Sequence, residues 1–203
     1  MLNFRVNKEV AKEDLSLLGI FLNWHQQARG FFLGEEGREH YKLLSFLAKQ
    51  LPEGSKAFDI GTYRGCSALA LANATNIKVI TYDIENHIPE NALSCRNHPQ
   101  IEFRLANCLT EPYLTELVEA HLIFLDIDPH NGTDETNFVK VLKERGFEGV
   151  LVLDDINLNP EMRNFWENNI LSDLKKVDLT KYGHWSGTGA LVFNTEKYSI
   201  LLD

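Results

Sequence analysis

Hydrophobic residues recur at helical spacing through the first quarter of the chain. Over residues 9–28 and again over 37–50 they lie three or four positions apart, which predicts at least two amphipathic helices before the first strand. The apolar segment 30–34 has glycine at both ends and predicts a turn over a pocket between these helices. We interpret the charged run 36–40 as the solvated start of the second helix.

The pattern changes after residues 51–54, Leu-Pro-Glu-Gly, which end the second helix. From there, short apolar segments alternate with helical ones. The predicted strands are 56–60, 78–82, 101–105, 121–126, 149–154, 176–180 and 189–194. The predicted helices between them are 65–74, 88–97, 111–118, 134–146 and 160–173.

Two of these strands, 121–126 and 149–154, are apolar without alternation. Such strands are buried on both faces, as in a parallel sheet covered by helices. A glycine-rich link joins the last two strands and predicts an antiparallel hairpin. We therefore predict an α/β three-layer sandwich with a mostly parallel seven-stranded sheet that ends in this hairpin. The chain is predicted to be one domain, 1–203, with a helical cap over 1–50 and an α/β core over 51–203.

The composition narrows the classes of function. With 29 acidic and 20 basic residues the net charge is −9, which opposes binding to nucleic acids and anionic membranes and favours a small, neutral or cationic substrate. No apolar run approaches the ~20 residues that span a bilayer, and the first residues show no secretory signal pattern, so we expect a cytoplasmic protein. The three cysteines form no CxxC pair and are expected to be reduced thiols.

The segment 56–72, KAFDIGTYRGCSALALA, passes from an apolar strand through Gly61 and Gly65 into an Ala/Leu-rich helix. Glycine lets a ligand approach the backbone closely, and the helix start offers free N–H groups to an anionic or carboxylate-bearing ligand. Asp83 ends the next apolar run and lies 22 residues after Gly61, where such folds bind a ribose. These residues predict a nucleoside-containing cofactor.

Acidic residues follow the two continuous apolar strands. Asp126, Asp128 and His130 end the first, and Asp154 and Asp155 end the second. Carboxyl ends of parallel strands line the crevice where ligands bind in open α/β sheets. Converging carboxylates repel one another unless protons or a divalent cation reduce their charge. Helix capping is the alternative explanation, and it accounts for one of these residues but not for all of them.

The run DIGTYRGCSALALA resembles the E-I-G-T-x-x-G-Y-S signature of class I S-adenosylmethionine-dependent methyltransferases. The similarity is greatest to the small cation-dependent O-methyltransferases of the catechol and caffeoyl-CoA type and their sugar O-methyltransferase relatives, and it extends from about Glu35 to the last strand. It implies a Rossmann-like fold. The cofactor-binding positions that it implies are Asp59, Gly61, Thr62, Gly65, Ser67, Asp83, Asn107 and Asp126.

The same resemblance implies a divalent cation, Mg²⁺ or alternatively Mn²⁺ or Ca²⁺, held by Asp126, Asp154 and Asp155. An all-oxygen site favours these ions over zinc. The ion would hold two adjacent oxygens of the acceptor and lower the pKa of the one to be methylated. Where the family has a catalytic lysine this chain has Pro129, so we expect the catalytic base to be His130. His184 is the second candidate.

We therefore predict a methyltransferase that transfers the methyl group of S-adenosylmethionine to an oxygen of a small molecule with help from a cation. The main alternative is a non-catalytic protein of the same fold that binds S-adenosylmethionine or NAD, although the turn lacks the middle glycine of the GxGxxG pattern. An N- or C-methyltransferase without a metal is a third interpretation. The sequence does not identify the acceptor, and it leaves a homodimer through the apolar N-terminal segment open.

Overall fold

Seven of the nine strands form one sheet in the computed structural model, which describes residues 1–203. The strands are β1 (Leu2–Val6), β2 (Lys56–Ile60), β3 (Lys78–Asp83), β4 (Ile101–Leu105), β5 (Leu122–Leu125), β6 (Val150–Leu153), β7 (Lys175–Asp178), β8 (Gly189–Val192) and β9 (Tyr198–Leu202). The remaining two, β1 and β9, form a separate two-stranded sheet.

The helices are short and flank this sheet. The α-helices are α1 (Gln26–Leu33), α2 (Tyr41–Ala48), α3 (Cys66–Leu71), α4 (Tyr113–Leu117), α5 (Thr133–Glu144) and α6 (Pro160–Asn164). Three 3₁₀ helices (Lys8–Lys12, Ser16–Leu22, Cys95–Asn97) and one π-helical turn (Phe165–Asn169) complete the set. No helix is both long enough and apolar enough to cross a membrane.

The strand order of the large sheet is β4-β3-β2-β5-β6-β8-β7. All neighbours from β4 to β6 are parallel, whereas β8 runs antiparallel to both β6 and β7. This is the Rossmann-like arrangement expected from the sequence, and the mostly parallel sheet with a terminal hairpin is confirmed. The chain reverses its direction of strand addition between β2 and β5, and ligands of such sheets bind at the carboxyl ends beside that point.

Both faces of the sheet are buried, which explains the continuous apolar strands. Along β5, for example, Leu122 and Phe124 belong to the core on one face, and Ile123 and Leu125 belong to the core on the other. Because successive side chains point to opposite faces, a strand covered on both sides must be apolar at every position. The three cysteines are free thiols, as predicted, and all three are buried.

The pairing of the chain ends was not predicted. β1 and β9 run parallel, with Phe4 opposite Ile200, and both side chains are almost fully buried. The local pattern of each segment is too short to distinguish a strand from a helix, and the partner lies almost the whole chain length away. Only the folded chain brings the two segments together.

Several predicted helices were wrong in type or extent. Residues 9–28 hold two 3₁₀ helices and the start of α1, because Asn7 and Asp14 side chains accept the amides of Glu9 and Ser16 and begin short turns. The segment 30–34 belongs to α1 and its C-cap and is not a separate turn.

The predicted helix 88–97 contains only the 3₁₀ turn Cys95–Asn97. Pro89 disfavours the helical conformation of the residue before it, and Arg96 donates hydrogen bonds to Asn86 Oδ1 and to the carbonyl of Ile88, which stabilises a folded-back loop. The predicted helix 160–173 ends early, since α6 passes directly into the π-helical turn.

Candidate functional site

The turn after β2 touches the end of β5 through the backbone. Gly61 has a φ of +95°, and a Cβ built on it would lie 1.7 Å from the carbonyl oxygen of Asp126. Its amide donates to the carbonyl oxygen of Tyr82 at 2.9 Å. Only glycine satisfies both the left-handed conformation and this contact. Gly65 has a φ of +80° and is confined in the same way, because a Cβ built on it would lie 2.5 Å from Cys95 Sγ.

A buried hydrogen-bond network lies beneath this turn. Thr81 Oγ1 donates to Asp59 Oδ2 at 2.6 Å, which leaves Thr62 Oγ1 as the donor to Thr81 Oγ1 at 2.5 Å. Burial raises the pKa of Asp59 to about 7, although hydrogen bonds from Thr81 and Ser67 oppose the rise. Asp59 Oδ1 has no hydrogen-bond partner. Because Thr62 belongs to the turn, Thr81 to β3 and Asp59 to β2, the network links the turn to two buried strands.

A cavity of about 500 Å³ opens at the carboxyl ends of β2, β3 and β5. Four of the predicted cofactor residues line it: Gly61, Asp83, Asn107 and Asp126. The other four are buried and do not line it: Asp59, Thr62, Gly65 and Ser67. The volume falls in the range of small-molecule and cofactor pockets, so the cavity has room for a nucleoside.

Asp83 and Asn107 present polar groups at this cavity. Asp83 Oδ2 accepts the amide of Tyr63 at 2.8 Å and Oδ1 accepts that of Glu85 at 3.0 Å, so two backbone amides fix the carboxylate and each oxygen keeps a second lone pair. Asn107 Oδ1 accepts the amide of Leu109 at 2.9 Å, and its side-chain nitrogen has no protein partner. These are suitable groups for ribose hydroxyls and a base.

Beside the cavity, Asp154 is the centre of a buried ionic cluster. It follows β6 and is 5% exposed. Its Oδ1 lies 3.2 Å from His40 Nδ1 and 3.5 Å from His184 Nδ1. Burial opposes ionisation of Asp154, but the two imidazoles hold its pKa well below the usual range. Burial also opposes the charge of His184, yet Asp154, Asp155 and Glu39 raise the pKa of this histidine to about 12.

His130 joins the cluster to the end of β5. Its Nε2 lies 3.3 Å from both Asp126 Oδ1 and Asp155 Oδ2, and its Nδ1 lies 3.2 Å from Asp128 Oδ1. Asn159 donates to its carbonyl oxygen and fixes its backbone, which has a φ of +55°. The hydrogen bond to Asp126 raises the pKa of His130 to about 9. In this arrangement the imidazole is protonated at neutral pH, which disfavours it as a base there.

The three predicted metal ligands do not form one compact group. Asp126 and Asp154 lie together with His40, and Asp154 and Asp155 lie together with His184; within each group the donor atoms are within 4.8 Å of one another. Asp155 Oδ1 accepts a hydrogen bond from Ser186 Oγ and also contacts His184. Both of its oxygens therefore have protein partners.

Sequence reasoning missed His40 and Glu39. The run 36–40 was interpreted as solvated, but His40 is 2% exposed and Glu39 contacts His184 at 3.2 Å. The only signal was a histidine directly before the apolar pattern of α2. Nothing local shows that this end of the helix points at the carboxyl edge of the sheet.

Comparison of the sequence with protein-family models and with curated proteins gives no match. Among solved structures, a Staphylococcus aureus protein whose proposed activity is that of a caffeoyl-CoA O-methyltransferase is 15% identical, with a TM-score of 0.59 over 88% of this chain and 99% of that one. A Podospora anserina methyltransferase in its SAH-bound form is also 15% identical, with a TM-score of 0.55 over 90% of this chain and 88% of that one. These likenesses show a shared fold.

We expect Gly61→Ala to destabilise the protein by several kcal/mol, because the added methyl group meets the Asp126 carbonyl in a left-handed conformation. Gly54→Ala is the matched control: its φ is +76°, but nothing lies within 4 Å of the added carbon, so a cost of only about 1–2 kcal/mol is expected. Urea denaturation measures both. Equal losses for the two variants would contradict the close contact at Gly61.

The stability of the ligand-free protein should depend on pH through Asp59. Its folded pKa of about 7 exceeds the unfolded value, so its contribution is fully present below about pH 4 and is lost as the pH rises through about 7. Asp59→Asn removes this dependence. Relative to the wild type, the variant should gain roughly 2 kcal/mol in unfolding free energy between pH 5 and pH 8.

Asp173→Asn serves as the control for this titration. Its hydrogen bond with Lys143 lowers the pKa of Asp173, so that carboxylate is already ionised at pH 5. Its effect on stability should stay flat over the same range. A flat difference for Asp59→Asn as well would show that Asp59 is ionised in the folded protein.

Proposed function

We propose that the protein transfers the methyl group of S-adenosylmethionine to an oxygen of a small-molecule acceptor, with assistance from a divalent cation. One observation carries this proposal: Asp126 lines the nucleoside-sized cavity and also belongs to the donor group formed with His40 and Asp154. The cofactor pocket and the ionic cluster therefore adjoin at one side chain. A methyl group bound at that junction would face the acidic cluster.

The residues of the cavity fit the cofactor. The Asp83 carboxylate is held by two backbone amides at the rim, where it can accept both hydroxyls of a ribose. The free amide nitrogen of Asn107 can donate to a ring nitrogen of adenine. Gly61 has no side chain, so its backbone is exposed to the cavity.

The residues of the cluster fit a cation. Asp154 Oδ1 and both ring nitrogens of His40 are buried without a hydrogen-bond partner, and such groups are rare unless something else satisfies them. Asp126 and Asp154 would hold the ion, with Asp155 beside them. A bound divalent cation supplies a positive charge that orients the acceptor oxygen and lowers its pKa.

The solved structures of similar fold support the methyltransferase part of this proposal. The name of the Podospora anserina protein makes it a methyltransferase with bound SAH, and that of the Staphylococcus aureus protein proposes an O-methyltransferase. By analogy of fold, the carboxyl edge of β2 and β3 is the cofactor side in this chain. The identity of the acceptor lies outside what a shared fold indicates.

We expect S-adenosylhomocysteine to bind with micromolar affinity in calorimetry and Asp83→Asn to weaken binding by about tenfold or more, since hydrogen bonds to a charged group contribute about 1.5–3 kcal/mol. Asp178→Asn is the matched control: this aspartate also ends a strand and accepts an amide two residues on, from Thr180 at 2.8 Å, but it lies away from the cavity. Absence of binding to the wild type would refute the cofactor assignment and make NAD the next ligand to test.

Methyl transfer should require a divalent cation when catechols and sugars are offered as acceptors. We expect chelator and Asp154→Ala each to reduce the rate at least about a hundredfold, because both remove the charge that prepares the acceptor oxygen. If His130 is the base, the rate should rise with pH as its imidazole loses its proton, and His130→Gln should abolish that rise. Product formation is measured with labelled cofactor.

The outcomes separate the alternatives. Transfer that is unaffected by chelator and by Asp154→Ala would indicate a metal-free N- or C-methyltransferase. Binding of S-adenosylhomocysteine without transfer to any acceptor would favour a non-catalytic cofactor-binding protein. A pH profile that is unchanged in His130→Gln would assign proton removal to another group.

A further inference from the structure

His40 is a buried histidine whose ring nitrogens are both unsatisfied. It immediately precedes α2 and is 2% exposed, yet neither Nδ1 nor Nε2 has a hydrogen-bond partner. Leaving a buried polar group unpaired costs about 1–3 kcal/mol. The Nδ1 atom lies 3.2 Å from Asp154 Oδ1, but the pair lacks hydrogen-bond geometry, and that oxygen is unsatisfied too. Donor and acceptor are adjacent without pointing at each other.

The position of the imidazole is fixed by its neighbours. The ring of Phe124 lies 4.6 Å from that of His40, centroid to centroid, and the ring of Tyr41 lies 4.7 Å away. Phe124 is a fully buried core residue of β5, so the imidazole cannot turn away from the carboxyl edge of the sheet without displacing this ring. Packing therefore holds the ring where its nitrogens have no protein partner.

Two carboxylates, those of Asp126 and Asp154, lie near the imidazole of His40. Donor atoms of His40, Asp126 and Asp154 all lie within 4.8 Å of one another. Ligands bound at about 2.1 Å to one ion are separated by about 3 to 4 Å, so a small movement of these side chains suffices for a common ion. In a simple ion pair between His40 and Asp154, the imidazole N–H would point at the carboxylate. Such a pair would still leave the second ring nitrogen of His40 without a hydrogen-bond partner.

We propose that His40, Asp126 and Asp154 form a mixed nitrogen–oxygen metal site that prefers a first-row transition ion, Mn²⁺, Fe²⁺ or Co²⁺, over Mg²⁺ and Ca²⁺. Imidazole is a good ligand for transition ions, whereas Mg²⁺ and Ca²⁺ select oxygen. This set differs from the all-oxygen set expected from the sequence in having His40 in place of Asp155, whose oxygens contact Ser186, His184 and His130. This metal site rests on the cation-assisted methyl transfer proposed above, and it specifies which ion assists the transfer.

Mn²⁺ itself is the probe, added to the full chain without cofactor. Titration followed by electron paramagnetic resonance should show one bound Mn²⁺, and pulsed measurements should show coupling to an imidazole nitrogen. We expect Mg²⁺ to compete only at concentrations at least about tenfold higher. His40→Gln should lose the nitrogen coupling and weaken Mn²⁺ binding at least about tenfold.

His184→Gln is the matched control. This histidine also contacts Asp154, at 3.5 Å, but it is not in the donor group with Asp126. Loss of the nitrogen coupling in His40→Gln together with its retention in His184→Gln supports the site, and any other pattern overturns it. Asp154→Asn, which leaves His40 intact, should abolish Mn²⁺ binding; retained binding overturns the site as well.

Folding and cofactor binding are measured separately. S-adenosylhomocysteine calorimetry should be nearly unchanged in His40→Gln, because His40 does not line the cofactor cavity. Thermal unfolding measures separately the stability lost when Asp154 loses this imidazole partner. If wild-type protein binds S-adenosylhomocysteine but no Mn²⁺, the metal site is refuted while the methyltransferase function stands. If it binds Mn²⁺ with nitrogen coupling but no S-adenosylhomocysteine, the site stands and the proposed function fails.

Discussion

The carboxylate of Asp154 lies almost completely buried at the carboxyl end of β6, and the neighbouring elements are arranged around that charge. An isolated ion in such a place costs several kcal/mol, so it needs partners from other segments. His40 comes from the start of α2 and His184 from the loop between β7 and β8. These contacts hold the N-terminal helical layer and the terminal hairpin against the same edge of the sheet.

A second constraint joins this cluster to the cavity. The turn at Gly61 touches the backbone of Asp126, so the end of β5 cannot move independently of the turn after β2. Asp126 consequently has a fixed backbone position while its side chain faces both the cavity and His130. In-line methyl transfer depends chiefly on holding the methyl donor and the acceptor atom close together and aligned. In the proposed function, the rigid junction between the cavity and the ionic cluster would provide that placement.

The parts of this structure that follow from local pattern were predictable, and the parts that depend on distant contacts were not. Continuous apolar strands indicated a parallel sheet, and the spacing of Gly61 and Asp83 placed both at one cavity, because strand ends of a parallel sheet meet at one edge. The β1–β9 pair and the position of His40 depend on contacts between segments far apart in sequence. The failure of the predicted helix 88–97 depends on hydrogen bonds made by Arg96 across a loop. The spacing of hydrophobic residues along the chain does not indicate these contacts.

Protonated histidines and the proposed cation are two ways to neutralise the carboxylates of the cluster. Four carboxylates meet in the cluster, from Glu39, Asp126, Asp154 and Asp155, and three imidazoles lie among them. In a buried site this excess of acid must be neutralised, either by protons on the imidazoles or by a metal ion. The two are alternatives, because a histidine that binds a metal must give up the proton on the ligating nitrogen. A cation in this cluster therefore replaces protons rather than adding to them, and the same carboxylates that keep the imidazoles charged without an ion are the groups that attract one.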